Sequence, residues 1–168
     1  EIRAGQTTVE NTIGLQFNSP GDTIPKDAYI WAASISINVT NTVGTASWLI
    51  WGEAGNSCAN FTSGTWPISR TKTTASVAWA PGAGTGWKQS SDIAPIVQEI
   101  VSAATWGSGD NICILIYDNQ ASNNQYQDAY AYEGDPTKAA KLNIAWDAHT
   151  PTVTPTPTEA TVLSYFLP

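Results

Sequence analysis

The chain has 168 residues, with 7 Lys+Arg set against 14 Asp+Glu for a net charge of −7. So few bases exclude a phosphate-tracking nucleic-acid binder. Hydrophobic residues at 42%, with eight tryptophans, exclude a mainly disordered chain, and no apolar run approaches the ~20 residues of a membrane-spanning helix.

Taken in chain order, the first strand signal is Ile13–Phe17, where Ile13, Leu15 and Phe17 share one side. Tyr29–Thr40 alternates over a longer span. Its odd positions Tyr29, Trp31, Ala33, Ile35, Ile37 and Val39 are apolar, while Ser34, Ser36, Asn38 and Thr40 are polar, which predicts a long strand with its odd face buried. Trp48–Trp51 is apolar on both faces, as a covered central strand requires. Val77 and Trp79 mark a shorter strand before the turn Pro81-Gly82-Ala83-Gly84. Ile93, Ile96, Val97, Ile100, Val101 and Ala104 then recur at helical spacing, with Ser91 or Asp92 as cap and Pro95 in the first turn. This predicts one short helix over about residues 92–104. Ile112–Tyr117 reads as a second central strand, and Tyr126–Tyr132 and Leu142–Trp146 complete the set.

Short strands separated by Gly/Pro-rich loops point to a mainly β domain, a jelly-roll-like antiparallel sandwich over residues 1–148. Residues 149–159 form a Thr/Pro linker with Pro151, Pro155 and Pro157, a composition that favours extended polyproline II. Residues 160–168 turn abruptly apolar. Leu163, Tyr165 and Leu167 fall on one side of an extended segment and Val162 and Phe166 on the other, a strand that needs both faces covered. A stiff spacer of roughly 30 Å carries such an arm toward another body. The expectation is donation of Val162, Leu163, Tyr165, Phe166 and Leu167 to a neighbouring copy, giving a head-to-tail homopolymer. Docking onto its own sheet is the competing reading.

Cys58 lies in a polar loop and Cys113 in the apolar run 112–117. Paired, they close a loop worth on the order of 4 kcal/mol and indicate an oxidising, extracellular or cell-surface setting; two unpaired thiols are the alternative. Met is absent even at position 1, so the chain is expected to begin after a processing event.

Catalytic chemistry finds little material. The sole histidine, His149, sits outside the predicted packed region, which removes His-based acid–base catalysis and His-rich metal sites from the domain. Glu53, Asp92, Glu99, Asp110, Asp118, Asp128, Glu133 and Asp135 show no spacing that singles out a glycosidase pair. The acid- and Asn-bearing stretch 118–135 lacks a recognisable Ca²⁺ loop spacing. No enzyme activity, cofactor or metal is therefore expected. Trp31, Trp79 and Trp146 fall on apolar strand faces and are expected in the core. Trp66, Trp87 and Trp106 lie in Gly/Ser/Thr-rich stretches and are candidates for stacking on sugars, which supports a carbohydrate-binding or adhesion module as the second functional reading. Asn38-Val39-Thr40 and Asn60-Phe61-Thr62 match the N-glycosylation pattern, and Thr152, Thr154 and Thr156 suit O-linked sugars.

Thr12-Ile13-Gly14-Leu15-Gln16-Phe17, Ile24-Pro25-Lys26-Asp27-Ala28-Tyr29-Ile30 and Ala94-Pro95-Ile96-Val97-Gln98-Glu99-Ile100-Val101 carry a resemblance. Over about residues 9–146 the chain resembles a β-sandwich domain of secreted, multi-domain bacterial proteins with the pattern "VGLRF…IP.GA.I…APIVQEIV…W". The Thr-Pro tract ending in Tyr165-Phe166-Leu167-Pro168 is similar to C-terminal tails of secreted proteins from filamentous, Chloroflexus-like bacteria. The resemblance implies a secreted sandwich and carries no catalytic residue with it. The overall layout is also similar to extracellular fibril subunits that use donor strands.

Overall fold

The computed structural model describes residues 2–6, 10–18, 20–55, 58–62, 66–119 and 125–148. The linker and apolar tail, including Val162, Leu163, Tyr165, Phe166, Leu167, Thr152, Thr154 and Thr156, lie outside the described residues.

The strands are β1 (Ile2–Gln6), β2 (Glu10–Asn11), β3 (Ile13–Phe17), β4 (Tyr29–Val43), β5 (Trp48–Glu53), β6 (Lys72–Trp79), β7 (Gly86–Gln89), β8 (Ile112–Asp118), β9 (Gln125–Ala129) and β10 (Lys141–Asp147). One helix, α1 (Ala94–Val101), separates β7 from β8. All strand pairings are antiparallel. β4 pairs with β10, β7 and β9, and β9 pairs in turn with β1. The second sheet runs β3-β8-β5-β6. Setting β1-β9-β4-β7 against β3-β8-β5-β6 gives the two nested Greek keys of a jelly roll, with β10 added beside β4.

The two apolar runs behave as central strands. β8 is buried at every position, and β5 buries Trp48 and Ile50. The core joins Ile35, Ile37 and Val39 of β4 with Ile50, Ile114 and Ile116 of the facing sheet, and Trp48 meets Trp79 edge-on at 5.1 Å.

β4 departs from strict alternation. Ala33, Ile35, Ile37 and Val39 are buried as expected, but Tyr29 and Trp31 are exposed and Ile30 takes the inside position. The cause is a shift in register: Ala145 pairs with Ala32, whereas Trp146 pairs with Ile30. Trp31 is the extra residue of a bulge. One inserted residue flips the phase of a strand, because the side-chain period is two. Trp31 is therefore 60% exposed rather than in the core, while Trp79 is buried and Trp146 half-buried.

The helix is shorter than its periodicity suggests. It ends at Val101, and residues 103–106 continue in turns closed by Ala103 N–H to Ile100 O and Trp106 N–H to Ala103 O. Ile96, Val97, Ile100 and Val101 face the core. The approach is close enough that a Cβ on Gly52 of β5 would lie 2.6 Å from Ile100 Cδ1 and 2.9 Å from Ile96 Cγ2. Gly52→Ala is expected to cost about 1–3 kcal/mol through overpacking. Ile100→Ala alone should cost about 2–5 kcal/mol. Urea denaturation of the double variant should give a loss smaller than the sum, since each change relieves the other; strict additivity would show that the helix does not press on this glycine.

Candidate functional site

The two flanks of the sandwich are closed very differently. On one, α1 and the chain entering it cover the gap between β4 and β6, and their side chains satisfy the backbone of both strands. The Glu99 carboxylate accepts from Thr74 N–H and Ala75 N–H at 2.8 and 2.9 Å. Along β4, Ile30 N–H donates to Gln98 Oε1, Ala33 N–H to Asp92 Oδ1 and Ile35 N–H to Ser90 Oγ. Edge amides that would otherwise template another strand are thereby occupied.

The opposite flank has no such cover. β3 ends the second sheet and β10 borders the first. Among the described residues, no strand or side chain pairs with the outer backbone edge of β3. The inward-pointing Leu142, Ile144 and Trp146 of β10 stay only partly buried, as do Phe17 of β3 and Ile2 of β1. Beside the β3 edge runs a groove of about 730 Å³ lined by Gly14, Leu15, Gln16 and Phe17, by Phe61, and across it by Ile2, Tyr130–Glu133, Ala139 and Ala140.

One wall of this groove is fixed by the disulfide between Cys58 and Cys113, whose Cα atoms are 5.8 Å apart. Cys113 pairs with Gln16 across β8 and β3, and Gln16 Nε2 donates to Cys58 O at 3.1 Å. The segment after Cys58 is thus laid over β3. Phe61 sits on Gly14, where a Cβ would meet its ring at 2.5 Å, so only glycine allows this approach. Arg70 stacks on Phe61 at 4.9 Å and donates to both oxygens of Glu53 at 2.9 and 3.0 Å. Glu53, Cys58 and Cys113 lie close together, but both sulfurs are committed to the disulfide and offer no thiolate to a metal.

Six of the eight carboxylates considered for catalysis hold contacts within the fold. Glu53 binds Arg70; Asp92 and Glu99 cap strand edges; Asp110 accepts from Gly107 N–H; Asp135 caps the turn at Thr137. Asp128 on β9 is gripped by Arg3 at 2.6 and 3.0 Å and by Asn41 Nδ2 at 3.1 Å. No known protein family matches the chain, and no curated protein does either. No described helix is long and apolar enough to cross a membrane.

The three tryptophans expected to stack on sugars do not come together. Trp66 is 63% exposed next to Pro67, whose carbonyl accepts from Tyr117 OH of the second sheet. Trp87 is 45% exposed on β7 of the first sheet. Trp106 is buried, with Nε1 donating to Ile24 O at 3.0 Å, so it is a core residue and not a sugar platform. Its Gly-rich neighbourhood suggested exposure, but the turn after α1 folds the ring inward. Asn38 lies on the outer face of β4 opposite Trp87, and Asn60 lines the groove.

The Arg3 guanidinium, followed by Asn41, holds the Asp128 carboxyl below the ordinary aspartate value of 3.8. A depressed folded-state pKa contributes stability above the unfolded value and loses it as pH falls through the folded one. The tie between β1 and β9 should therefore be intact at neutral pH and weaken below about pH 4. Asp128→Asn is expected to cost about 1 kcal/mol at neutral pH, with Arg3 partly exposed, and to flatten the acid limb of a thermal-melting profile. An unchanged acid limb would show that another group controls it.

Proposed function

We propose that this protein is a structural subunit of an extracellular or cell-surface fibril, polymerising head-to-tail by donating its C-terminal strand to a neighbouring copy. The observation that carries the reading is the open flank: an unpaired β3 edge beside a groove of mixed lining, with Ile2, Leu15, Phe17 and Phe61 among polar groups, in a domain whose other flank is sealed. Residues 160–168 have what this flank lacks. An added strand supplies main-chain partners to β3 and side chains to the groove, as strand addition does generally. Val162, Leu163, Tyr165, Phe166 and Leu167 are each worth roughly 1.5–3 kcal/mol on full burial, which offsets the cost of ordering the arm.

Direction favours a neighbour over self-docking. The chain passes Ala139 and Ala140 at the groove, then runs the length of β10 and leaves at Asp147, about 23 Å farther on. Returning to its own groove requires a reversal within a Thr/Pro sequence that prefers extension. Arm and groove are different surfaces, so the contact is heterologous and propagates. The disulfide agrees with an oxidising compartment.

Two variants test this. Deletion of residues 150–168 and, separately, Ala140→Arg in the groove should each abolish filaments in negative-stain microscopy. The deletion should leave the melting temperature of the domain nearly unchanged, whereas Ala140→Arg should lower it somewhat, because Ala140 packs against the core. A synthetic peptide of residues 160–168 should bind the deletion variant and fail to bind Ala140→Arg. Filaments that persist after the deletion would overturn the reading.

A further inference from the structure

We infer that Asn38 carries an N-linked glycan whose first sugar stacks on the indole of Trp87. Asn38 and Trp87 are direct cross-strand partners of β4 and β7, and opposite residues on one face of an antiparallel pair have Cβ atoms about 4.5–5.5 Å apart. Val39 and Ile37 point into the core, so Asn38 points outward and is half-buried on the outer face of the sheet, while the Thr40 Oγ1 of the Asn38-Val39-Thr40 acceptor triplet is buried.

Three features select this position. First, among the described residues the Asn38 carboxamide has no hydrogen-bond partner, whereas Asn41 on the same strand is spent on Asp128. Second, Trp87 stays 45% exposed among short polar neighbours. Ser36 and Gln89 lie beside it, and the one close partner of its ring is the Lys141 ammonium, 4.5 Å from the centroid. A large indole ringed by polar groups suits a ligand with an apolar face and polar edges, which describes a pyranose. Third, the other triplet, Asn60-Phe61-Thr62, is badly placed. Asn60 lines the β3 groove, and Phe61 is clamped between Gly14 and Arg70. A glycan there would fill the groove that a strand is proposed to enter.

Peptide mass mapping of the protein from its native producer is expected to find a glycan on Asn38 and none on Asn60. Oxidative footprinting should then label Trp87 several-fold faster in Asn38→Gln than in the glycosylated protein, with Trp66 labelling unchanged. Trp87→Ala should keep the glycan, because the acceptor triplet is intact. A bare Asn38, a glycan on Asn60, or equal Trp87 labelling with and without the glycan would each overturn the proposal. Protection of Trp87 in Asn38→Gln by added soluble oligosaccharide, with Asn38 bare in the native protein, would also overturn it and assign the face to a free glycan. None of these readouts depends on filament formation; only the argument against Asn60 rests on the proposed strand donation.

Discussion

A two-sheet sandwich has two flanks, and each must be closed by something other than the sheets themselves. In this fold one flank is closed by α1, and the means are specific. Ile96, Val97, Ile100 and Val101 fill the gap, while Glu99, Gln98, Asp92 and Ser90 occupy backbone amides of β6 and β4. The helix supplies both terms that an additional strand would supply, apolar burial and main-chain hydrogen bonds. Among the described residues the other flank receives neither, and this asymmetry is what gives the molecule its candidate site.

An open edge invites indiscriminate pairing unless its approach is restricted. Restriction here comes from the side. The disulfide lays the chain after Cys58 over β3, Phe61 roofs Gly14, and the Arg70–Glu53 pair holds that roof from behind. On the far wall, Tyr130–Glu133 and Ala139 and Ala140 narrow the entrance. Lys138 braces this wall through Asp135 and lies 4.6 Å over Tyr130.

Much of the sandwich was legible because its central strands obey simple periodicities. Ile112–Tyr117 is apolar throughout and is buried throughout, and the odd positions of β4 from Ala33 to Val39 form the core as written. What escaped detection depends on events without a local signature. The bulge at Trp31 is a property of the pairing with β10, and nothing in Tyr29–Ala33 marks it. β1 and β7 are short and polar enough to resemble loops, yet pairing with β9 and β4 makes them strands. Trp106 shows the same limit from the other side, since its flanking glycines announce a turn without saying which way the ring will point. The tail's apolar pattern was plain in the sequence, whereas the groove proposed to receive it was not. That groove joins β3, the Cys58 loop and the β9–β10 connection, segments far apart in the chain.

Low charge and surface placement fit together in this architecture. Adjacent copies in the proposed fibril would bring their nets of −7 within a Debye length of one another, and charge density governs what that costs. With only 12% charged residues, and with Asp128, Glu53 and Asp135 each compensated by a base, repulsion between subunits is small. Low repulsion alone would also permit side-by-side clumping through the outer sheet face, where Trp31 and Trp87 stand exposed. The proposed sugar on Asn38 would shield that face without adding charge, and would leave the groove flank untouched. On the proposed reading, growth along one axis would require no charge pattern at all: one face would be covered by sugar, one flank is sealed by a helix, and the remaining flank would accept a single strand.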